Sequence, residues 1–129
     1  MKILLIDDDE WIRDSLTLFF EGEGCHLLAF ETAEEAMAEL KTQPYDIIIT
    51  DYKLPGIDGL EFLKRIKEPY PNTMKILISA YGSEEVVSEG IKHGIHDFIE
   101  KPFVTKTIEE SLTRIIKKRE FEAAQEDDR

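Results

Sequence analysis

The chain has 129 residues, the length of one domain or of one domain with a short tail, and should bury about two-thirds of its unfolded surface. Hydrophobic residues make up 42% and charged residues 34%, and no apolar run nears the roughly 18 residues of a membrane span, which argues against a disordered or membrane-spanning chain. With 28 acidic against 16 basic residues the formal charge is −12, which would repel a nucleic-acid backbone and disfavours direct nucleic-acid binding.

Lys2 to Ile6 is a short apolar run that stops at four acids, Asp7 to Glu10, as a strand buried on both faces would. Ile12, Leu16, Phe19 and Phe20 then recur at helical spacing until Gly22 and Gly24, with Asp9 as cap and Glu10 favouring the helix dipole. Cys25 to Phe30 reads as the second strand, and Thr32 caps a second helix carrying Ala33, Ala36, Met37 and Leu40. Gln43-Pro44 ends it, and the β-branched run Ile47 to Thr50 ends in Asp51. Asp58 caps a third helix through Leu60, Phe62, Leu63 and Ile66, which Pro69-Tyr70-Pro71 cannot continue.

Met74 to Ile78 reads as the fourth strand, ending at Ser79-Ala80. Ser83 caps a fourth helix to about His93, where Gly94 stops it, and the interior Gly90 weakens it. Phe98-Ile99 forms a short fifth strand, and Ile108, Leu112, Ile115 and Ile116 mark the last helix. Residues 1–120 form the expected domain, while 121–129 read as a polar tail that frays; continuation of the helix over Lys117 to Gln125 into a linker is the alternative. A single cysteine, Cys25, cannot form an internal disulfide, and the apolar start meets acid too soon for a signal peptide, so the cytoplasm is the expected compartment.

Five strands alternating with five helices imply an α/β fold, a doubly wound parallel sheet in the flavodoxin-like order 2-1-3-4-5. In that order Asp7, Asp8 and Asp51 converge at neighbouring carboxyl ends, where such sheets bind ligands. Carboxylates without nearby Cys or His suit a hard cation, and Mg²⁺ is the natural candidate because it accepts a few carboxylates and leaves positions for water and phosphate oxygens. The fourth strand delivers Ser79 to the same edge, and Lys101 follows the fifth.

Ile6-Asp7-Asp8, Thr50-Asp51-Tyr52-Lys53-Leu54-Pro55-Gly56-Ile57-Asp58-Gly59, Ser79-Ala80 and Lys101-Pro102-Phe103 resemble the four signature segments of the response-regulator receiver domain, over residues 1 to about 120. The resemblance implies a signalling domain rather than an enzyme. Asp51 would accept a phosphoryl group from a phosphohistidine on a sensor histidine kinase or histidine phosphotransfer protein. Asp8 would ligate Mg²⁺ directly, Asp7 through water, with Asp51 and the backbone carbonyl of Lys53 completing the set. Lys101, after a cis bond to Pro102 in the family, and Ser79 would contact phosphoryl oxygens. Phe98 stands where the family has an aromatic switch residue, often tyrosine, and the fourth helix, fifth strand and fifth helix would form the surface read by an effector or by a second copy in a homodimer. Lys53 and Tyr81 occupy positions flanking the path of hydrolytic water and would tune the lifetime of the phosphorylated state.

A hydrolase of the haloacid dehalogenase type would need a second acid two residues after its nucleophile, where this chain has Lys53. A scaffold receiver without phosphoryl chemistry is disfavoured by the joint presence of Asp7, Asp8, Asp51, Ser79 and Lys101. A nucleotide-binding fold would carry a glycine-rich loop after the first strand, which is absent. His93 and His96 lack the surrounding ligands of a metal site and read as structural or solvated. Trp11, Leu18 and Phe121 lie off their apolar stripes and read as surface residues, with partner contact as the alternative.

Overall fold

Alternate residues of the central strands feed two hydrophobic cores, one on each face of a parallel sheet. Ile3, Leu5, Ile47, Ile49, Ile76 and Ile78 face one core, whereas Leu4, Ile6, Ile48 and Leu77 face the other. The computed structural model describes residues 1–80 and 82–127. Its strands are β1 (Lys2–Ile6), β2 (His26–Phe30), β3 (Ile47–Asp51), β4 (Met74–Ser79) and β5 (Asp97–Glu100). Its helices are α1 (Glu10–Gly22), α2 (Ala33–Leu40), α3 (Gly59–Ile66), α4 (Glu84–Lys92) and α5 (Thr105–Asp127). All strand pairs are parallel and the order is β2-β1-β3-β4-β5, as the sequence leads one to expect.

The first core is closed by Leu16 and Phe20 of α1 and by Ile108, Leu112 and Ile115 of α5. The second is closed by Ala36 and Leu40 of α2, Phe62, Leu63 and Ile66 of α3, and Val86 of α4. Each fully buried Leu, Ile or Phe side chain contributes about 1.5–3 kcal/mol of transfer free energy. Asp9, Thr32, Asp58 and Ser83 each accept a backbone N–H in the first turn of α1, α2, α3 and α4, which fixes where those helices begin relative to the strand ends.

Three boundaries differ from the sequence reading. Cys25 N–H donates to Phe20 O at 2.9 Å, so Cys25 belongs to the exit of α1, and the ladder begins when His26 N–H donates to Met1 O. β4 extends to Ser79 and β5 spans Asp97–Glu100, because Ser79 pairs in register with Glu100. The third difference is α5, which continues through Asp127 where a fraying tail was expected over 121–129. No glycine or proline interrupts it, and Lys, Glu, Ala and Gln are good helix formers.

Candidate functional site

The ladders continue past the strand ends and carry the acidic and basic residues with them. Asp7 N–H donates to Phe30 O at 3.0 Å, Tyr52 N–H to Ile78 O at 2.8 Å, and Lys101 N–H to Ser79 O at 2.8 Å. These bonds bring Asp7, Asp51 and Lys101 together at one edge. Asp7, Asp8 and Asp51 each present a carboxylate oxygen within 4.8 Å of the others, with Asp7 and Asp51 buried and Asp8 exposed. Lys101 Nζ lies 3.0 Å from Asp7 Oδ2 and donates a hydrogen bond to Asp51 Oδ2 at 3.1 Å. The Lys101-Pro102 bond is cis.

Burial raises the Asp7 carboxyl above its ordinary pKa, against the opposing effects of the Asp9 N–H bond and Lys101. Asp51 is also raised, by burial first and then by the Asp7 charge. Burial disfavours the Lys101 ammonium, but Asp7 and Asp51 outweigh it and raise its pKa. Asp7 Oδ1 accepts the Asp9 N–H at 2.9 Å, whereas Asp7 Oδ2 is buried and, among the described residues, meets only the Lys101 ammonium, at 3.0 Å. Among the described residues, Asp7, Asp8 and Asp51 gather beside the Lys101 ammonium, an excess of negative charge that a dipositive ion would offset. An all-oxygen donor set with an underused buried oxygen fits a hard cation such as Mg²⁺.

Ser79 is buried at the end of β4, one position beyond Ile78, the register partner of Asp51. Lys53 is exposed in the β3–α3 loop. Phe98 is half-buried and packs against the core formed with α2, α3 and α4. Tyr81 lies outside the described residues. His93 ends α4, and the Nδ1 of His96 accepts the Lys75 N–H, so both are structural. Trp11, Leu18 and Phe121 are exposed.

Two features were not found from the sequence. Arg13 reaches back from α1 to donate to the Asp7 carbonyl at 3.0 Å, and its helical spacing from Asp9 was the available signal. A cavity of about 700 Å³, lined by Trp11, Ile12, Pro102, Phe103 and Val104, opens beside Lys101. Among the described residues, no helix is long and apolar enough to cross a membrane.

A sequence profile described as "Response regulator receiver domain" matches residues 3–113, and the chain belongs to that family, the phosphoacceptor domains of two-component signalling. It is 35% identical over 123 residues to the transcriptional regulatory protein FlgR of Helicobacter pylori, covering 95% of this chain and 31% of FlgR. A CheY-like receiver domain protein from Methanospirillum hungatei JF-1 superposes with a TM-score of 0.88 at 29% identity, covering 94% of this chain and 97% of that one. The beryllofluoride-activated receiver domain dimer of NtrC4 superposes with a TM-score of 0.79 at 35% identity, covering 88% and 92%. The chain spans less than a third of the length of the curated relatives it matches first.

Proposed function

We propose that Asp51 is the phosphoacceptor and that residues 1–120 form the working receiver unit, in the cytoplasm. The observation that carries this reading is the Asp51 carboxylate held between Asp7 and Lys101 at the sheet edge. An Asp51 oxygen attacks the phosphorus of a phosphohistidine on a sensor histidine kinase or phosphotransfer protein. The new O–P bond forms as the P–N bond breaks, and the imidazole leaves with the bonding pair. Such transfers pass through a loose transition state, so positioning and charge stabilisation do most of the catalysis.

Asp7, Asp8, Asp51 and the Lys53 backbone carbonyl would hold Mg²⁺, which when bound supplies positive charge opposite the phosphoryl oxygens. Lys101 already approaches Asp51 and is suited to exchange that contact for a phosphoryl oxygen, while Ser79 donates to another. The partner would approach over α1 and the β5–α5 loop, where exposed Trp11 and Val104 border the cavity beside Lys101.

Output is a population shift in which Ser79 and Phe98 report the phosphoryl group to α4, β5 and α5, the surface offered to an effector or to a second copy in a homodimer. Asp97 of β5 accepts from Ser111 Oγ at 2.5 Å and from Arg114, which couples β5 to α5. Lys53 and Tyr81 would shield the acyl phosphate from water; replacing both with alanine should accelerate dephosphorylation, and an unchanged rate would remove that role.

Incubation with acetyl phosphate and Mg²⁺, followed by intact-mass measurement, tests the central reading. One added phosphoryl group is expected on the natural chain and none on Asp51→Asn. Equal labelling of both, or of neither, would overturn the assignment.

A further inference from the structure

The Asp7-Asp8-Asp9 turn is fixed at its ends by backbone bonds. Asp7 N–H donates to Phe30 O, Asp9 N–H donates to Asp7 Oδ1, and Asp9 O accepts from Arg13 N at 3.1 Å. Between them lies the Asp7–Asp8 peptide, whose carbonyl accepts from Arg13 Nη1 at 3.0 Å. Asp8 is exposed and follows this peptide directly, so the backbone that carries it sets where its carboxylate oxygen meets those of Asp7 and Asp51. The Arg13 side chain is 16% exposed, and its Nη2 lies 3.3 Å from Oε1 of Glu31, which is 62% exposed.

We propose that Arg13 is a positioning residue for the cation site: it fixes the plane of the Asp7–Asp8 peptide and thereby sets the affinity for a divalent ion. This rests on reading Asp7, Asp8 and Asp51 as the Mg²⁺ ligands. A planar guanidinium can hold the carbonyl with one nitrogen while the other meets Glu31, a geometry that a lysine ammonium does not reproduce. The Glu31 contact is solvated and screened, so it orients Arg13 only weakly. Removing a group that orients metal ligands typically lowers metal affinity by about 10–100-fold.

The test is divalent-ion affinity of the full chain, read by Trp11 fluorescence on Mg²⁺ titration and independently by electron paramagnetic resonance of free Mn²⁺. Both are run at a temperature where circular dichroism in EDTA shows each variant folded. Arg13→Lys and Arg13→Gln should bind roughly tenfold more weakly. Glu31→Gln should stay within about twofold of the natural chain. Arg13 variants that bind within about twofold would overturn the inference while leaving the cation site intact. Glu31→Gln weakening as much as Arg13→Lys would also overturn it, by assigning the effect to the ion pair. A natural chain with no saturable binding by either readout would overturn the cation reading and this inference with it.

Discussion

Lys101 Nζ donates to Asp51 Oδ2 at 3.1 Å across a separation of 50 residues, and the same ammonium lies 3.0 Å from Asp7 Oδ2. The proposed acceptor and its charge stabiliser are thus already in contact before any phosphoryl group arrives. A group that stabilises charge developing in a transition state is typically worth about 10²–10³ in rate. Lys101→Met should therefore slow phosphorylation by acetyl phosphate by about that factor, measured as the initial rate of phosphoprotein formation on a phosphate-affinity gel. A rate within threefold would assign the stabilising role elsewhere.

The same geometry makes the metal-free fold carry an electrostatic burden. Asp51 and Asp7 have raised pKa values in the fold, so each contributes stability that is complete below the ordinary 3.8 and is lost as pH rises through the folded value. As pH rises toward neutrality, ionising these buried carboxyls increasingly disfavours the folded state. Asp51→Asn should raise the melting temperature in EDTA at pH 7, with the gap narrowing as pH falls toward 4. Added Mg²⁺ should stabilise the natural chain more than the variant. A variant that melts lower in EDTA at pH 7 would show that the Lys101 contact outweighs the repulsion.

The sheet and its acidic edge were legible because both follow from short-range pattern. Runs such as Ile47 to Thr50 are uniformly apolar or β-branched, and each central run stops at a residue whose chemistry differs from the core. Strand order then places Asp7 and Asp51 side by side without knowledge of any side-chain contact. Arg13 was not legible, because its reach to the Asp7 carbonyl depends on how a long side chain lies over the preceding turn. The continuation of α5 through 121–127 was missed as the first choice because polar composition marks both a solvated helix and a frayed tail.

Gly59 opens α3 directly beneath the proposed acceptor. A Cβ there would stand 2.2 Å from the Asp51 carbonyl oxygen, a backbone atom that cannot step aside without moving β3. Gly59→Ala should destabilise the fold by about 1–3 kcal/mol, as overpacking commonly does, and should lower the phosphorylation rate by displacing Asp51. Gly22 provides the contrast, since among the described residues nothing lies within 4 Å of its added Cβ at the end of α1. Gly22→Ala should stabilise by about 0.5–1 kcal/mol and leave phosphorylation unchanged. Urea unfolding of both variants checks the pair, and equal effects would refute the steric argument.

At the opposite end of the sheet, His96 and Lys75 are joined twice: His96 N–H donates to Lys75 O at 2.7 Å, and Lys75 N–H donates to His96 Nδ1 at 3.1 Å. Accepting that bond requires an unprotonated Nδ1. Although His96 is exposed overall, partial desolvation of its ring beside Lys75 lowers its pKa, and the charges of Lys75, Arg119 and Lys118 lower it further, while Glu122 acts in the opposite sense. A lowered histidine contributes stability that is present above the ordinary 6.5 and is lost as pH falls through the folded value. The natural chain should lose stability from this source below pH 6.5, even as the raised carboxylates at the other edge pull the opposite way. His96→Asn offers a non-titrating acceptor, so the difference between the two melting curves isolates the histidine. That difference should shift in favour of the variant as pH is lowered from 7 to 5, whereas parallel curves would exclude His96 as the titrating group. His96→Ala, which leaves the Lys75 N–H without its acceptor, should cost about 1–3 kcal/mol at pH 7.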